Sequence, residues 1–397
     1  MRSPKALRAT AAPPVAALAL ALAACGADAP RPLTVERADS AGIELVTTRG
    51  PDVPLAWRFT PLLTLGGAAE GPESFYSLAP TYVDADSAGN LYVLDRDNHR
   101  VVVFDSAGGV VRLLGREGGG PGEVEWPFNL SVAPDGTVSV WDMGKHGLVR
   151  WAPDGSVLET RALPIPYFGP TLRVTALGVV FYDFTAPADT DHGRARVLLW
   201  RDGETTEIAS LATPPPRMAT FPSCGVSFRT GPVFAPTLEW DARGRMVAVG
   251  PGPDYVVDVY RDGKRTRSIR RAVPLRAATE AMALKALGEG MSVGLDTGEC
   301  TIPAEEVVRA RGVAPVIPAV DAVAIAPDGG IWVRRGFVQG EAAAVDVFGA
   351  DGAYLGTLPV GAPFPALFLP GGRVAAIVTD DLDVDRLVVY RVEREAG

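Results

Sequence analysis

A unit of 47 residues that occurs twice in succession is the feature of this sequence that most limits its fold. Residues 83–115 align with residues 130–163, and each unit contains two Asp/Gly turns among runs of alternating apolar residues. This pattern predicts four antiparallel strands per unit, called a to d from first to last. The matched pairs are Gly89 and Gly136, Asp95 and Asp142, His99 and His146, and Phe104 and Trp151.

Two markers of the unit each occur six times along the chain, which predicts six units. The glycines of the turn between strands a and b are Gly89, Gly136, Gly178, Gly244, Gly329 and Gly372. The aromatic residues that end strand c are Phe104, Trp151, Trp200, Tyr260, Phe348 and Tyr390.

The sixth unit ends after strand c, and its missing strand d can come from the other end of the chain. Residues 57–80 match residues 112–134, which connect strand d of the first unit to strand a of the second. A strand near 58–65 would then complete the last unit and close the ring without a free edge. The sequence predicts an all-β fold, a six-bladed β-propeller over residues 54–397.

An insertion of helical composition separates the fourth and fifth units, at about residues 275–318. It contains the segments ATEAMALKAL and PAEEVVRARG. The second has Pro303 near its start and Gly312 after its end, the residues that favour helix boundaries.

The N-terminus has the features of a targeting segment. Arg2, Lys5 and Arg8 precede the apolar run Val15–Ala24, which is too short to span a bilayer. The run ends in Leu-Ala-Ala-Cys-Gly at Cys25, which resembles the lipobox of bacterial lipoproteins.

This resemblance implies that residues 1–24 are a signal peptide and that Cys25 is acylated and becomes the first residue of the mature chain. The alternative is an ordinary secretory signal with an incidental cysteine. Gly26 follows where an inner-membrane retention signal would have aspartate, so the resemblance favours the outer membrane. Residues 25–53 are interpreted as a lipid-anchored tether and entry segment, in which the tether composition extends from Gly26 to about Ser40.

Two further cysteines, Cys224 and Cys300, can form a disulfide in an oxidising compartment. Closing a loop of this length would stabilise the fold by about 4 kcal/mol. The alternative is a pair of buried free thiols.

Residues 86–105, with the pattern DxxGNLYVLDxxNxRVxVFD, resemble an NHL-type repeat. The connector GREGGGPGE at 115–123, followed by an aromatic residue and proline, is similar to one in bacterial six-bladed β-propeller lipoproteins. The resemblance covers about residues 55–392 and is strongest in the first two units. Most members of that group have no assigned activity, so it implies a fold and little about function.

Strand order predicts which loops share a face of the propeller. The b–c hairpins and d–a connectors emerge on one face, here called the loop face, and the a–b and c–d turns emerge on the other, the turn face. Both mature cysteines, the insertion and all three histidines belong to the loop face. Its segments are long and irregular, which is typical of binding loops, so we expect the functional site there.

The candidate binding residues on this face come from hairpins and from the glycine-rich connector. The histidines are better explained as hairpin residues repeated with the unit than as a metal or acid/base cluster, since different blades hold them apart. Turn chemistry explains the Asp/Asn run as well as calcium binding does. The candidates are Asp95, Asp97, Asn98, His99, Arg116, Glu117, His146, Arg334 and Arg335.

Two of these groups have a functional and a structural interpretation. Arg116 and Glu117 could be placed at the central funnel by a flexible loop, but the glycines around them are better explained by positive φ angles at a tight blade crossing. Arg334 and Arg335 could form a basic, aromatic edge for an anion, or simply a solvated loop. A second acidic run, at 380–385, matches no calcium-loop spacing.

Composition narrows the function classes. The net charge is −9, which argues against nucleic acid. No Gly-x-Ser-x-Gly elbow and no other nucleophile motif occurs, so no catalytic residue, metal site or cofactor is predicted, with Ca²⁺ as the weaker alternative.

The favoured function is a membrane-tethered binding module for a protein, peptide or glycan partner. Its expected location is the cell envelope, on the periplasmic side of the outer membrane or at the cell surface. The alternatives are a metal-dependent hydrolase, lactonase or lyase with its site in the axial funnel, and a structural subunit of an envelope assembly.

Overall fold

The computed structural model describes residues 32–67, 70–75, 77–163, 171–185, 193–295 and 298–394. Within them the chain is nearly all β, with two helices. Neither of these helices is long and apolar enough to cross a membrane. The predicted signal peptide, Cys25 and His192 lie outside the described residues.

The described part of the chain begins with three strands that belong to two different blades. The first two form an antiparallel hairpin, and the third lies beside the C-terminal strand. They are β1 (Thr34–Ser40), β2 (Ile43–Arg49) and β3 (Trp57–Leu65).

The first three blades are four-stranded antiparallel sheets in sequence order, as the repeat predicts. Blade 1 contains β4 (Val83–Ala85), β5 (Leu91–Asp95), β6 (Arg100–Phe104) and β7 (Val110–Leu114). Blade 2 contains β8 (Pro127–Val132), β9 (Val138–Asp142), β10 (Gly147–Trp151) and β11 (Val157–Ala162). Blade 3 contains β12 (Leu172–Thr175), β13 (Gly178–Thr185), β14 (Gly193–Arg201) and β15 (Glu204–Thr213).

Two long connectors flank blade 4. The first carries the hairpin β16 (Arg217–Phe221) and β17 (Val226–Thr230). Blade 4 follows with β18 (Leu238–Arg243), β19 (Met246–Pro251), β20 (Val256–Arg261) and β21 (Lys264–Arg271). The second connector contains β22 (Arg276–Ala277), α1 (Glu280–Leu287), β23 (Gly290–Leu295), β24 (Gly298–Pro303), α2 (Ala304–Arg311) and β25 (Val316–Ile317).

The last two blades close the ring. Blade 5 contains β26 (Val320–Ile325), β27 (Ile331–Arg335), β28 (Val345–Phe348) and β29 (Tyr354–Thr357). Blade 6 contains β30 (Leu367–Leu369), β31 (Arg373–Thr379) and β32 (Asp385–Arg394), and its fourth strand is β3. The pairing of β3 with β32 runs antiparallel from Trp57 opposite Arg394 to Leu65 opposite Leu387. The predicted N-terminal closure is confirmed.

Hydrophobic packing confirms the six-bladed ring independently of strand pairing. Six of the hydrophobic clusters in the described residues each join one pair of neighbouring blades, the last joining blade 6 back to blade 1. In that closing cluster Phe104 of blade 1 is fully buried with Leu387 of blade 6. Every blade therefore buries both sheet faces against its neighbours, which an open array would not achieve.

Residues 34–49, within the segment predicted as tether and entry, form an ordered hairpin on blade 4. β2 pairs in parallel with β21, from Glu44 beside Arg267 to Thr48 beside Arg271, so blade 4 has six strands. Val46 is fully buried there, which supplies the apolar contact. The polar and fully exposed β1 has the composition of a tether, because it is an edge strand that buries nothing.

The two connectors around blade 4 form one insertion with its own hydrophobic core, which includes Phe221, Ile302 and Val307. The predicted helices are confirmed at Glu280–Leu287 and Ala304–Arg311. The predicted disulfide is confirmed too: Cys224 and Cys300 are bonded, with 6.0 Å between their Cα atoms. The contribution of the first connector, the hairpin β16–β17, was not predicted.

Replacing both cysteines by serine is expected to destabilise the insertion and leave the six blades folded. The disulfide joins positions 76 residues apart, for which loop entropy gives about 4 kcal/mol. Native-state hydrogen exchange should show increased exchange in α1, α2 and β16, with the amides of β5 and β9 unchanged. Equal loss of protection in the blades would contradict the prediction, because it would mean that the ring depends on the insertion.

Candidate functional site

The axis of the propeller is a channel lined by the innermost strand of each blade, namely β4, β8, β12, β18, β26 and β30. At one level of this channel, polar side chains of one blade accept hydrogen bonds from backbone N–H groups of the next. These bonds join Val132 N–H to Asp84 at 2.7 Å, Val174 N–H to Ser131 Oγ at 3.0 Å, and Ile325 N–H to Asp241 at 2.7 Å.

A cavity of about 460 Å³ occupies the end of the channel that opens between the a–b turns. We call it the turn-face chamber, and it lies on the face opposite to the one where the sequence predicts the site. All six blades contribute to its wall. The residues at its inner level are Asp84, Ser131, Arg173, Asp241, Ala324 and Phe368.

Arg173 of blade 3 crosses the inner end of this chamber. Its Nη2 donates to the carbonyl of Pro80, before blade 1, at 3.3 Å, and its Nε lies 3.9 Å from Asp241 of blade 4. Its Nη1 is buried and makes no hydrogen bond with any described residue.

Asp84 lies on the chamber wall in an environment that disfavours its charge. Burial raises the pKa of this carboxyl, although Arg173, the N–H groups of Val132 and Ala85, and Arg243 all act to lower it. Loss of water therefore outweighs two nearby guanidinium groups.

The opposite end of the channel, at the loop face, contains a second titratable group. Glu239 precedes Asp241 by two residues on β18, so both side chains lie on the same face of the strand. Burial raises the pKa of Glu239 to about 7, the hydrogen bond from Thr237 Oγ1 (2.5 Å) opposes the shift, and the charge of Asp321 adds to it.

Arg334, a sequence-predicted candidate, lies at this mouth. Its Nε donates to Asp321 at 2.5 Å, and its guanidinium lies 5.5 Å from the ring centre of Phe337 and 5.0 Å from that of Phe364. It also acts to lower the pKa of Glu239. We call Glu239, Asp321 and Arg334 the mouth cluster.

Tyr182 of blade 3 lies beside the mouth cluster. Burial raises the pKa of this phenol to about 12, and the charge of Glu239 contributes. Three blades therefore bring a carboxyl, an ion pair and a phenol to one opening.

The predicted residues Asp95 and Asn98 form hydrogen bonds within their own hairpin. Asp95 is 3% exposed, and its carboxylate accepts from Asn98 Nδ2 at 2.9 Å and from Arg100 Nε at 2.9 Å. Asp97 is exposed at the tip of the same hairpin. Asp95 and Asn98 thus close a turn, which is the chemistry that turn sequences favour.

His99 and His146 occupy equivalent left-handed positions, with φ of 54° and 49°. Their N–H groups donate to carbonyls three residues earlier, those of Arg96 and Met143. Their similarity is thus a similarity of backbone conformation in two separate hairpins. No group of three or more His, Cys, Asp or Glu side chains in the described residues could hold a metal ion.

The glycine-rich connector is held by Glu123. Its carboxylate accepts from Gly120 N–H at 2.7 Å and from Arg116 Nε at 2.8 Å, and these bonds lower its pKa in that order. Glu117 makes a backbone bridge to Val124. Gly122 has φ of 73°, and a Cβ there would lie 2.4 Å from Val157, so glycine is required.

Arg335 forms neither a basic edge with Arg334 nor part of a solvated loop, because its guanidinium pairs with two aspartates. Its guanidinium donates to Asp346 at 2.7 and 2.8 Å and to Asp52 at 2.8 and 3.0 Å. The reason is that Asp346 lies on the neighbouring strand and is fully buried, so it needs cationic partners.

The polar residues of the inner strands were missed from the sequence. Asp84, Ser131, Arg173 and Asp241 occupy equivalent positions, and strand a of a buried blade should be apolar throughout. A polar residue that recurs at one inner position of strand a is the sequence signal that could have identified them.

The NHL repeat model matches residues 80–104, which cover strands a to c of blade 1. A solved structure of a Bacteroides fragilis protein described as exported aligns with a TM-score of 0.49 and 13% identity, over 86% of this chain and 96% of that chain. The solved structure of a member of the DUF4221 family from Bacteroides vulgatus aligns with a TM-score of 0.49 and 11% identity, over 85% of this chain and 99% of that chain.

A virginiamycin B lyase from Staphylococcus aureus gives a TM-score of 0.35 and 12% identity, over 85% of this chain and 99% of that chain. No curated protein matches the sequence. The NHL match confirms the repeat type predicted for the first unit.

Proposed function

We propose that this chain is a membrane-tethered, extracytoplasmic binding module whose loop face holds a protein, peptide or glycan partner. One observation carries the proposal: two separate connectors of the loop face form a disulfide-bonded insertion with its own core. None of the six clusters between blades contains a core residue of that insertion. The cores between the blades do not include the insertion, so its role is assigned to recognition of a partner.

The insertion presents an exposed strand face to a partner. On the hairpin β16–β17, Met218 lies opposite Arg229 and Thr220 lies opposite Ser227. Met218 is 61% exposed, an apolar, adaptable side chain among polar neighbours. An ion pair of 2.8 Å between Arg276 and Glu341 connects the insertion to the b–c hairpin of blade 5.

Site-specific photocrosslinking tests this proposal. A photoreactive amino acid at Met218, in the producing cell, should give one discrete adduct. The same amino acid at Asp202, 93% exposed in a turn-face loop, is the matched control and should give none. No adduct at Met218, or the same adduct at both positions, would refute a loop-face partner.

Export and anchoring rest on the lipobox resemblance and on the disulfide, a bond typical of oxidising compartments.

Replacing Cys25 by alanine is expected to move the protein from the membrane fraction to the soluble fraction and to abolish labelling by a radioactive fatty acid, because the acyl chains are the anchor. Density-gradient fractionation of the unaltered protein should place it in the outer membrane. A Cys25→Ala chain that stays with the membrane would contradict the anchor.

A second candidate function is hydrolysis or elimination in the axial funnel, the alternative named from the sequence. It is favoured by Glu239, because a carboxyl with a pKa of about 7 suits general acid/base catalysis. Turnover of lactones, esters or glycosides by the purified chain, abolished in Glu239→Gln, would support it. Absence of turnover over such a panel from pH 5 to 9 would count against it.

A further inference from the structure

The turn-face chamber is large enough for a small molecule and is independent of the proposed partner site. Its volume of about 460 Å³ lies within the usual range for ligand pockets, about 300–1,000 Å³. It opens on the face opposite to the insertion. A ligand here and a partner on the loop face therefore do not compete for surface.

The acceptors of the chamber wall already have donors. Each oxygen of Asp84 and of Asp241 accepts a backbone N–H group, and Asp86 accepts from its own turn. Asp84 accepts from the N–H groups of Ala85 and Val132 at 2.8 and 2.7 Å. Asp241 accepts from those of Ala242 and Ile325 at 2.8 and 2.7 Å. Asp86 accepts from those of Ala88 and Asn90 at 3.0 and 2.9 Å.

The donors of the wall, by contrast, are not all used by other groups of the protein. Arg173 has a buried Nη1 with no partner among the described residues. Arg243 follows Asp241 by two residues on β18 and also lines the chamber, and its guanidinium makes no hydrogen bond or ion pair within the described part of the chain. Ser131 Oγ accepts from Val174, which leaves its own hydrogen to be donated.

We propose that the turn-face chamber binds a small organic carboxylate, held by the guanidinium groups of Arg173 and Arg243 and by the hydroxyl of Ser131. A carboxylate supplies acceptors only, which matches the available donors, and guanidinium groups bind it in a planar, two-bond geometry. A phosphate dianion fits less well, because three aspartates line the same wall and would repel the additional charge.

Calorimetric titration of the full mature chain tests the proposal, with acetate, succinate and inorganic phosphate as probes. Acetate or succinate should bind, and Arg173→Gln and Arg243→Gln should each weaken binding about 10- to 100-fold. The matched control is Arg245→Gln: Arg245 lies in the same a–b turn but pairs with Asp262. It should leave the affinity unchanged.

The proposal is overturned if neither carboxylate binds, if phosphate binds and the carboxylates do not, or if Arg245→Gln weakens binding as much as Arg243→Gln does. Because Arg243 is exposed, its variant keeps the test valid even where Arg173→Gln does not fold. Arg173→Lys, which keeps the charge and loses the planar geometry, should also weaken binding. The crosslink at Met218 should be the same in all these variants, so failure here does not bear on the loop-face proposal.

Discussion

Replacing Asp346 by alanine is expected to destabilise the propeller by about 3–5 kcal/mol. The side chain is fully buried between blades 4 and 5. Its carboxylate accepts from five donor atoms: Arg271 Nη1 at 3.0 Å, Arg335 Nη2 and Nε at 2.7 and 2.8 Å, Thr357 Oγ1 at 2.6 Å and Tyr255 Oη at 2.7 Å.

The loss of stability arises because alanine leaves a buried guanidinium group without its buried counter-charge. Arg271 has a side chain only 2% exposed, and its guanidinium lies 3.8 Å from the ring centre of Tyr354, so it cannot move to water. Asp52 remains as a partner, but it is 49% exposed and also serves Arg335. A buried cation would thus lose its buried counter-charge, which is far more costly than losing a surface pair.

Urea unfolding measures this effect, and Asp262→Ala is the matched control. Asp262 pairs with Arg245 at the surface, where both side chains are more than half exposed, so its removal should cost about 0–1 kcal/mol. If Asp346→Ala and Asp262→Ala had similar unfolding midpoints, the buried network would not hold blades 4 and 5 together.

The fold could be predicted because its markers are local and repeated. Gly89 and its equivalents are required in each a–b turn, where positive φ excludes most residues, and an aromatic such as Phe104 ends each strand c. Because this local signal occurs six times, it predicts the number of blades. The closure by β3 followed because residues 57–80 and 112–134 have the same connector pattern.

The features that could not be predicted depend on contacts distant in sequence. β1 is polar and exposed, and only the parallel pairing of β2 with β21, more than 200 residues away, orders this hairpin. Glu239 likewise resembles any charged residue until Asp321 and Arg334 of the next blade are placed beside it. Hairpin residues such as His99 were visible in the repeat, but repetition indicates a shared backbone conformation as readily as a shared function.

Glu239→Gln is expected to stabilise the protein at pH 8 and to leave its stability nearly unchanged at pH 4. The folded state holds the pKa of this carboxyl at about 7, against 4.5 in the unfolded chain, so between these values the folded state binds more protons. Raising the pH through this window therefore reduces stability, by up to about 3 kcal/mol above pH 7. Glutamine resembles the protonated acid and can keep the hydrogen bond from Thr237, so it removes this loss.

Urea unfolding of both proteins from pH 4 to pH 8 measures the difference. Glu341→Gln is the opposite control: hydrogen bonds from Arg276 and from Val338 N–H lower the pKa of Glu341, so losing its charge should not stabilise the protein at any of these pH values. A Glu239→Gln chain no more stable than the parent at pH 8 would mean that Glu239 is solvated and ionised at the mouth of the channel. That result would also remove the acid/base argument for catalysis there, while the binding proposals for the loop face and the turn-face chamber would stand, since neither uses this carboxyl.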